Sequence, residues 1–376
     1  MIKNKKGNRI FRGISIIFHS TLLTINLAIA LLMIVSAFSD RIPPDKIPYI
    51  SYLGMGFPFL AVGTILFLIY WLLKHKWYSS LISITSLLVS ATALFTYFPI
   101  NYSTQIPPPE SFKLLSYNIR QFNFGERDID KKNPTLEYIA DQNADIICLQ
   151  EFGYSDNNAM LRFEEIRKRL KKYPYYHVYK ITDNHWHKYG LACFSKYPIS
   201  DIKPYRFRKD GANAAIAYTL KINGKKVRLF NCHLESNRFT TEDRKFYKGL
   251  IEKFSTEKLN DFNAKIVKKM DRAFLERAKQ VNMLRKDIDN CNLDIIICGD
   301  FNDTPISYAY RKMKGKSLSD AFVKTGNGLG ITYFENHFYF RIDHILYSDS
   351  LQAYDCKIGK VKHSDHYPIS CYFSFK

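Results

Sequence analysis

Three long apolar stretches without a single Asp, Glu, Lys or Arg dominate the first third of the chain. They cover residues 13–39, 47–73 and 77–109. Each holds about 18 or more mainly apolar residues, which is enough for a helix to cross a bilayer. Burying all three as ordinary core helices would need a much larger core than the rest of the chain supplies. The pattern therefore predicts a membrane anchor over 1–100, with transmembrane helices at about 13–39, 47–73 and 79–98.

Charges beside these stretches predict the orientation of the anchor. Cations lie before the first stretch and between the second and the third, at Lys3, Lys5, Lys6, Arg9, Arg12, Lys74 and Lys76. The loop between the first two stretches instead balances its cations with Asp40 and Asp45. By the positive-inside rule the N-terminus lies in the cytoplasm. Three crossings place everything after a Pro-rich linker over 101–110 on the extracytoplasmic side of the cytoplasmic membrane, whereas a third stretch lying in the interface would leave it inside.

The remainder, over 111–376, has the size of one large domain and a strongly basic composition. Of the formal net charge of +20, nine Lys/Arg and three Asp/Glu up to Glu110 account for +6, which leaves +14 on this domain. Such an excess favours anionic partners. Nucleic acid, the acidic head groups of membrane lipids and phosphorylated metabolites all fit, and for a tethered domain anionic lipid is as good a partner as nucleic acid. Nothing in the sequence calls for an obligate protein partner.

All seven cysteines lie in this domain. Neither a CxxC pair nor a zinc-ligand spacing is present. An odd count argues against a disulfide framework, and a single bridge through Cys291 or Cys356 stays open. The other five sit in apolar, strand-like runs and are expected to be small buried side chains: Cys148, Cys193, Cys232, Cys298 and Cys371.

Short strand-like runs alternate with helical periods along the domain. Strands are predicted where Val, Ile, Tyr and Phe are bounded by turn signals, at 113–119, 145–149, 177–181, 191–194, 214–222, 227–232, 294–298, 342–346 and 368–375. Helices are predicted at 134–142, 159–173 and 262–288. Asn223-Gly224 predicts a tight hairpin turn. Hairpins mixed with interposed helices indicate an α/β sandwich of two packed sheets with helices outside.

Polar side chains lie at or near the ends of six of these strands, where a strand core would not choose them. An unpaired carboxylate at such a place is costly to desolvate unless a cation or hydrogen-bond donors meet it. A positive partner is therefore expected beside Asp300, which follows the apolar run 295–298. The segments are, in chain order, Tyr117-Asn118-Ile119, Leu149-Gln150-Glu151, Asn231-Cys232-His233-Leu234, Gly299-Asp300-Phe301-Asn302, Ile342-Asp343-His344-Ile345 and Ser364-Asp365-His366-Tyr367-Pro368-Ile369.

Together and in this order, the six segments resemble the endonuclease/exonuclease/phosphatase superfamily, which has the deoxyribonuclease I-like fold. The resemblance extends from residue 113 to the end of the chain. Only the joint occurrence is specific, because each segment alone is a weak signal. The resemblance implies a four-layer α/β sandwich of two packed, mainly antiparallel sheets. It also implies a divalent-metal site at one end of the sheets.

The resemblance assigns roles to eight residues, five of them around the metal and the attacking water. Glu151 would be the main ligand, with Asn118 and Asp365 completing the surroundings of Mg²⁺ or Mn²⁺, cations that suit oxygen ligands. Asp300 would take a proton from the water or orient it. Asn302 would hold that water or a phosphate oxygen.

The other three residues would act on the phosphate. His366 would contact a phosphate oxygen, with its second nitrogen held by Asp343, an arrangement that favours the charged imidazole beside developing negative charge. His233 would face the phosphate or the leaving group. Its protonated form would stabilise or protonate the departing oxygen.

Arg120 and Tyr189 are candidates for substrate contact. Arg120 stands where several nuclease branches of the superfamily carry an acid, which weakens an abasic-site endonuclease assignment and suggests an extra phosphate contact or a surface salt bridge. Tyr189 follows His185-Trp186-His187-Lys188, a predicted loop near the substrate side whose simpler interpretation is a solvated loop. The stretch 235–271 is longer than usual in the superfamily. Its mixed charges favour a solvated helix surface over a lid or a membrane-facing ridge.

These features predict a membrane-tethered, divalent-metal-dependent phosphoesterase that hydrolyses phosphodiester bonds and is nuclease-like. The alternatives are a phospholipid head-group phosphodiesterase of the sphingomyelinase kind, or a phosphomonoesterase. A module that keeps the fold and only binds anionic ligands is a second alternative. Loss of a site residue would indicate it, and none of the eight is missing.

Overall fold

The computed structural model describes residues 2–101, 106–123, 132–155, 161–184, 186–237, 240, 242–243, 266–335 and 338–376, with side chains from residue 13 onward. Its N-terminal part consists of α1 Ile2–Ala37, α2 Ile50–Leu73, α3 Trp77–Val89 and α4 Ala91–Tyr97. Two helical segments, Gly13–Arg41 and Ile50–Leu73, are long and apolar enough to cross a membrane. Helices α3 and α4 qualify only as a pair bent by 64°. These two or three apolar helices suggest insertion into a membrane.

Serine side chains on α3 face the neighbouring helix α1. Ser83 donates a hydrogen bond to Asn26 Oδ1 and Ser86 donates one to the carbonyl of Ala30, both at 3.0 Å. Small polar residues at helix contacts let helices in a bilayer approach closely and satisfy each other's polar groups. The serines that reduce the apolar character of this stretch are therefore buried between helices. The third predicted span is a bent helix pair and not one continuous helix.

Twelve strands within the described residues form two six-stranded sheets. The strands are β1 Phe112–Asn118, β2 Ile146–Tyr154, β3 Tyr175–Asp183, β4 Lys188–Ser195, β5 Ile199–Arg206, β6 Ala214–Ile222, β7 Lys225–His233, β8 Asp294–Asp300, β9 Leu318–Asp320, β10 Asp343–Ser348, β11 Leu351–Ile358 and β12 Ile369–Phe375. The first sheet has the order β11-β12-β1-β2-β4-β3 and the second has the order β5-β6-β7-β8-β10-β9. In each sheet one central pair, β1 with β2 or β7 with β8, is parallel and the other pairs are antiparallel.

Helices cover the outer face of each sheet, and apolar side chains fill the space between the sheets. Helices α5 (Pro134–Asp141) and α6 (Phe163–Arg169) pack on the first sheet through Ile139 and Ile166. Helices α7 (Lys268–Asp289) and α8 (Tyr308–Lys314) pack on the second sheet through Leu284 and Met313. The result is the predicted deoxyribonuclease I-like sandwich. Helix α9 spans Ala321–Thr325.

Three strands and two helices were missed by the sequence prediction: β5, β9, β11, α8 and α9. Strand β5 is largely exposed and contains Pro204, so it lacks apolar alternation. Strand β9 has only three residues. A bulge between Tyr354 and Lys357 interrupts the alternation in β11. Helices α8 and α9 are short, with seven and five residues.

Some predicted boundaries were also wrong. In the described part of 159–173, only Phe163–Arg169 is an α-helix, and Pro174 disfavours helical backbone at the residue before it. Helix α7 begins at Lys268, and residues 262–265 of the predicted helix lie outside the described residues. The turn at Asn223-Gly224 is confirmed, with φ of 48° and 84°.

The sandwich packs directly against the N-terminal helices. Ile306, in the loop after β8, lies in one apolar cluster with Met33 of α1 and Phe57 of α2. Arg311 forms an ion pair of 3.3 Å with Asp40, in the loop between α1 and α2. The linker therefore does not hold the domain away from the helices. The exact division into anchor, linker and domain stays a prediction, and residues 102–105 of the linker lie outside the described residues.

Candidate active site

Four predicted site residues lie at the carboxyl ends of the two parallel strand pairs. Asn118 ends β1, and Glu151 lies near the end of β2. His233 ends β7 directly opposite Asp300, which ends β8. Because the two sheets are packed face to face, side chains from the two central pairs meet at one end of the sandwich. The site is thus assembled from both sheets.

Local backbone irregularities help to position two of these side chains, Glu151 and Asp300. The ladder between β2 and β4 shifts register between Leu149 and Phe152, and Glu151 in this bulge has a φ of 51°. Bulges commonly redirect side chains beside active sites. Gly299 has a φ of 131°, and a Cβ there would lie 2.0 Å from the carbonyl oxygen of Cys232. A glycine before Asp300 thus permits the close approach of β7 and β8.

Asp300 lies at the centre of the cluster. Its Oδ2 accepts hydrogen bonds from Asn118 Nδ2 at 3.0 Å and from Asn302 Nδ2 at 3.2 Å, and its Oδ1 accepts one from the Asn302 backbone at 2.8 Å. The Nε2 atoms of His233 and His366 lie 3.8 and 3.7 Å from Oδ2. Burial raises the pKa of the Asp300 carboxyl to about 6, against the lowering effect of His366. Asp300 is therefore a stronger base than an ordinary aspartate.

The two histidines have opposite protonation preferences. His366 Nδ1 donates a 2.8 Å hydrogen bond to Asp343 Oδ2. Burial disfavours its charge, but Asp343 and Asp300 outweigh burial and raise the pKa of His366 well above its usual value. Burial lowers the pKa of His233 despite the nearby Asp300. At neutral pH the cluster thus presents one imidazolium, at His366, and one neutral imidazole, at His233.

Oxygen atoms that suit a hard divalent cation surround the open side of the cluster. Glu151 Oε1 lies 3.3 Å from Asn118 Nδ2, and Asp365 Oδ1 accepts a hydrogen bond from Ser364 at 3.1 Å. Burial and the charge of Asp365 raise the pKa of the Glu151 carboxyl. The carboxylates of Glu151 and Asp365 repel each other, and a bound cation would relieve this repulsion. The protein side chains present here therefore fit Mg²⁺ or Mn²⁺.

A second possible ligand group lies beside the first, joined to it by the hydrogen bond from Asn118 to Asp300. The ligand atoms of Asp300, Asp343 and His366, all buried, lie within 4.8 Å of one another, so this group could also hold a metal ion. Its imidazole already donates Nδ1 to Asp343. Mg²⁺ prefers all-oxygen surroundings. The oxygens of Glu151, Asp365 and Asn118 suit it better.

The candidates for substrate contact take different positions. Arg120 is half exposed and forms a 3.2 Å ion pair with Glu335, the surface salt bridge that the sequence left open. Tyr189 is partly buried against the core between the sheets. Burial and the charges of Glu151 and Asp300 raise its pKa well above the usual value.

Other histidines near these motifs are not part of the cluster. His344 Nε2 donates a 3.0 Å hydrogen bond to the Asp303 carbonyl, and its ring packs on Phe301, on the opposite face of β10. His187 contacts Gln121 at 2.6 Å. His185 lies outside the described residues, and Trp186 beside it is 73% exposed.

Sequence reasoning missed several residues around the cluster. Arg277 of α7 is buried and forms a 3.1 Å ion pair with Asp303, immediately after Asn302. The ring of Tyr333 packs edge-on against His366, with centroids 5.1 Å apart. Asp303 directly follows the Gly-Asp-Phe-Asn motif, so the sequence could have suggested it. The other two are brought in by tertiary packing, for which the sequence carries no local signal.

The cluster opens into a cavity of about 450 Å³. One end is lined by Glu151, Asp300, Asp365 and His366. Apolar and aromatic side chains from α2, from the start of α7 and from the segment before β10 also line it: Tyr52, Met55, Ile266, Met270, Phe274, Phe338 and Phe340. Polar residues such as Asn237, Asp243 and Arg277 line it too, and its part between α2 and α7 is mainly apolar.

The sandwich and this cluster define a deoxyribonuclease I-like phosphoesterase scaffold. A model of the endonuclease/exonuclease/phosphatase family matches residues 115–366, and the chain belongs to this family. A second model, of a domain of unknown function (DUF8431), matches residues 19–97. No curated protein sequence matches the chain.

Solved structures with this fold are distant in sequence. An endonuclease/exonuclease/phosphatase from Beutenbergia cavernae DSM 12333 is 13% identical with a TM-score of 0.49, over 70% of this chain and 72% of that one. Another from Bacteroides vulgatus is 17% identical with a TM-score of 0.47, over 71% and 99%. The human Nocturnin catalytic domain with a bound sulfate anion is 15% identical with a TM-score of 0.47, over 72% and 97%.

Proposed function

We propose that this protein is a membrane-tethered phosphoesterase that uses Mg²⁺ or Mn²⁺ to hydrolyse phosphodiester bonds. Members of its family are metal-dependent phosphoesterases. The observation that carries the proposal is Asp300, a buried carboxylate held by two amide side chains and lying between two imidazoles. A purely structural role would not require two histidines and further carboxylates around one buried acid.

The metal would be held by Glu151, Asp365 and Asn118, the oxygen-rich part of the cluster. When bound there, the cation would draw negative charge from a phosphate oxygen and make the phosphorus more electrophilic. Asn118 now directs its amide nitrogen toward Glu151 and Asp300, while its oxygen accepts from the Arg120 backbone. Metal binding through the oxygen would require this amide to turn.

The remaining side chains can perform an in-line displacement. Asp300 accepts a proton from a water held by Asn302, and the water oxygen attacks phosphorus. The imidazolium of His366, oriented by Asp343, faces the negative phosphate oxygens. The ester P–O bond breaks on the opposite side of phosphorus. His233 would donate a hydrogen bond to the leaving alcohol oxygen.

The decisive test is hydrolysis of bis(p-nitrophenyl) phosphate by the full chain in detergent, with Mg²⁺, with Mn²⁺ and with a chelator. We expect metal-dependent release of p-nitrophenolate, with p-nitrophenyl phosphate turned over more slowly. Preference for the monoester would favour the phosphomonoesterase alternative. Metal binding is read separately as a rise in melting temperature with Mn²⁺, since a ligand of the folded state stabilises it. Binding without hydrolysis of either ester would leave only the anion-binding module.

We further propose that the catalytic domain lies on the extracytoplasmic side. The cations before α1 and between α2 and α3 support a cytoplasmic N-terminus. The ion pair of Arg311 with Asp40 supports a domain on the same side as the loop between α1 and α2, which requires the bent pair α3 and α4 to cross back. In intact spheroplasts, added protease should therefore remove the domain after residue 109. Protection until the membrane is broken would place the domain in the cytoplasm.

A further inference from the structure

The apolar end of the cavity is built jointly by the sandwich and by the N-terminal helices. Met270 and Phe274 of α7 form one wall with Ile266, and Tyr52 and Met55 of α2 pack against them. The Tyr52 ring meets Phe274 edge-on, with centroids 5.3 Å apart, and its hydroxyl donates a 2.8 Å hydrogen bond to Asp271. A catalytic cavity that served a freely diffusing substrate would not need a wall from a candidate membrane helix.

The contact between α2 and the catalytic loop is close. A Cβ at Gly54 would lie 2.3 Å from the carbonyl oxygen of Ile306, so only glycine lets the α2 backbone approach this loop. Ile306 stands four residues after Asn302, and its side chain is buried among α1, α2 and α4. The loop that follows Asn302 is thus held against the helix bundle. Tyr52 and Met55, from the first turns of α2, line the apolar end of the cavity.

The charges in the cavity do not suit a nucleic acid. Among the described residues that line it, Arg277 is the one Lys or Arg, and it is already paired with Asp303. A groove for a nucleic-acid strand follows the backbone with several cations and offers aromatic faces to successive bases. Aromatic faces are present, at Phe274 and Phe338 for example, but among the described lining residues the several cations that would follow a nucleic-acid backbone are not. Met55 and Met270 add flexible side chains that suit a hydrocarbon chain.

Resting on the proposed phosphoesterase function, we infer that the substrate is an amphiphilic phosphodiester drawn from the membrane. Its phosphate lies at Asp300 and His366, and its hydrocarbon chain lies in the groove between α2 and α7. Water supplies the oxygen that bonds to phosphorus, and the ester P–O bond breaks. The products are a phosphomonoester and an alcohol that carries a proton, so no further reactant is needed. The cavity volume of about 450 Å³ lies within the roughly 300–1,000 Å³ of small-molecule sites.

The inference is tested with p-nitrophenyl n-alkyl phosphates, in which only the alkyl chain changes, from methyl through butyl and hexyl to octyl. The full chain is assayed in nanodiscs with Mg²⁺. We expect kcat/KM to rise by about fourfold per CH₂ until the groove is filled, the equivalent of ~0.8 kcal/mol per buried CH₂. The methyl ester has no chain to place in the groove, so its rate measures hydrolysis without that binding.

Two methionines on α7 give a matched pair of variants. Met270 lines the groove and is 7% exposed, whereas Met283 on the same helix is 47% exposed. Met270→Glu should flatten the chain-length series, read as the ratio of kcat/KM for the octyl ester to kcat/KM for the methyl ester. Met283→Glu should keep the full rise. Because both variants are assayed in the same nanodiscs, partition of the esters into lipid cancels in the comparison.

The outcomes separate the two proposals. A flat series in the wild type, with the methyl ester hydrolysed, would overturn the lipid inference and leave the phosphoesterase standing. Hydrolysis of no ester, methyl included, would overturn the function itself. Faster turnover of a short DNA or RNA oligonucleotide than of the octyl ester, unaffected by Met270→Glu, would establish a nucleic-acid substrate instead. If Met270→Glu does not fold, Met55→Glu changes the opposite wall and gives the same readout.

Discussion

Two clusters of buried charge lie side by side in the second sheet, on the neighbouring strands β9 and β10. Asp320 at the end of β9 accepts hydrogen bonds from Arg341 at 3.0 Å and from the Tyr310 hydroxyl at 2.7 Å. Backbone N–H groups of Phe322 and Val323 bind its other oxygen. Burial raises the pKa of Asp320, but Arg341 and these hydrogen bonds outweigh it, so the pKa is lowered. We call this cluster matched, because a cation and hydrogen-bond donors within it compensate the charge of Asp320.

The cluster that begins at Asp343 in β10 is equally buried but is not matched. Burial raises the pKa of both Asp300 and Glu151, and their neighbours include further carboxylates. Among the described residues, buried polar atoms without a hydrogen-bond partner occur in both clusters, at Arg341 Nε in the first and at Asp343 Oδ1 and His233 Nδ1 in the second. The raised pKa values of Asp300 and Glu151, against the lowered pKa of Asp320, distinguish the two clusters. Burial alone therefore does not identify a functional charge, whereas unmatched charge facing a cavity does.

Of the changes considered, breaking the matched cluster should have the largest effect, and that effect should be a loss of folding stability. Arg341→Leu leaves Asp320 buried without its cation, so we expect the free energy of unfolding to fall by about 3–5 kcal/mol. Denaturant unfolding of the full chain in detergent measures the loss. Adding Asp320→Leu should recover part of it, because an apolar pair needs no partner charge. Arg208→Leu, at an exposed ion pair with Asp210, is the control and should leave the midpoint unchanged.

Changing the unmatched cluster should instead affect turnover. Asp300→Asn and Glu151→Gln should each lower kcat by roughly a hundredfold or more, because each removes a charge that acts on the water or the metal. The melting temperature should stay the same or rise, since negative charges that repel each other are removed. The exposed acids Asp141 and Glu164 give matched controls as Asp141→Asn and Glu164→Gln. Near-normal rates in a folded Glu151→Gln protein would reject the metal assignment.

Asp343 and His366 are expected to act as one unit within the unmatched cluster. If Asp343 only orients the imidazole, combining Asp343→Asn with His366→Ala should lower kcat/KM little more than the worse single change. The four proteins of this double-mutant cycle are compared on bis(p-nitrophenyl) phosphate at saturating Mg²⁺. Fully additive losses would mean that Asp343 acts elsewhere in the site.

The contrast between these clusters also explains how much the sequence could predict. The residues at the carboxyl ends of β1, β2, β7 and β8 were identifiable because a polar residue after an apolar run is unusual and the order of the motifs is specific. The fold followed from the same segments. Which buried acids are matched could not be predicted, because Arg341 and Arg277 reach their partners only through tertiary packing. The groove between α2 and α7 could not be predicted either, because it also forms only through tertiary packing. Hydropathy predicts a membrane span and not the surface on which a domain docks.

The smallest expected effect is the pH dependence of the matched cluster. The pKa of Asp320 is lower in the folded chain than the ~3.9 of an unfolded aspartate. Its contribution to stability is therefore fully present above about pH 4 and is lost as the pH falls, because the unfolded chain takes up the proton first. The stability advantage of the wild type over Asp320→Asn should therefore shrink as the pH falls from 5 to 3. Unfolding midpoints at pH 7, 5, 4 and 3 measure this difference. An advantage that stays constant down to pH 3 would show that Asp320 stabilises the fold through its hydrogen bonds and not through its charge.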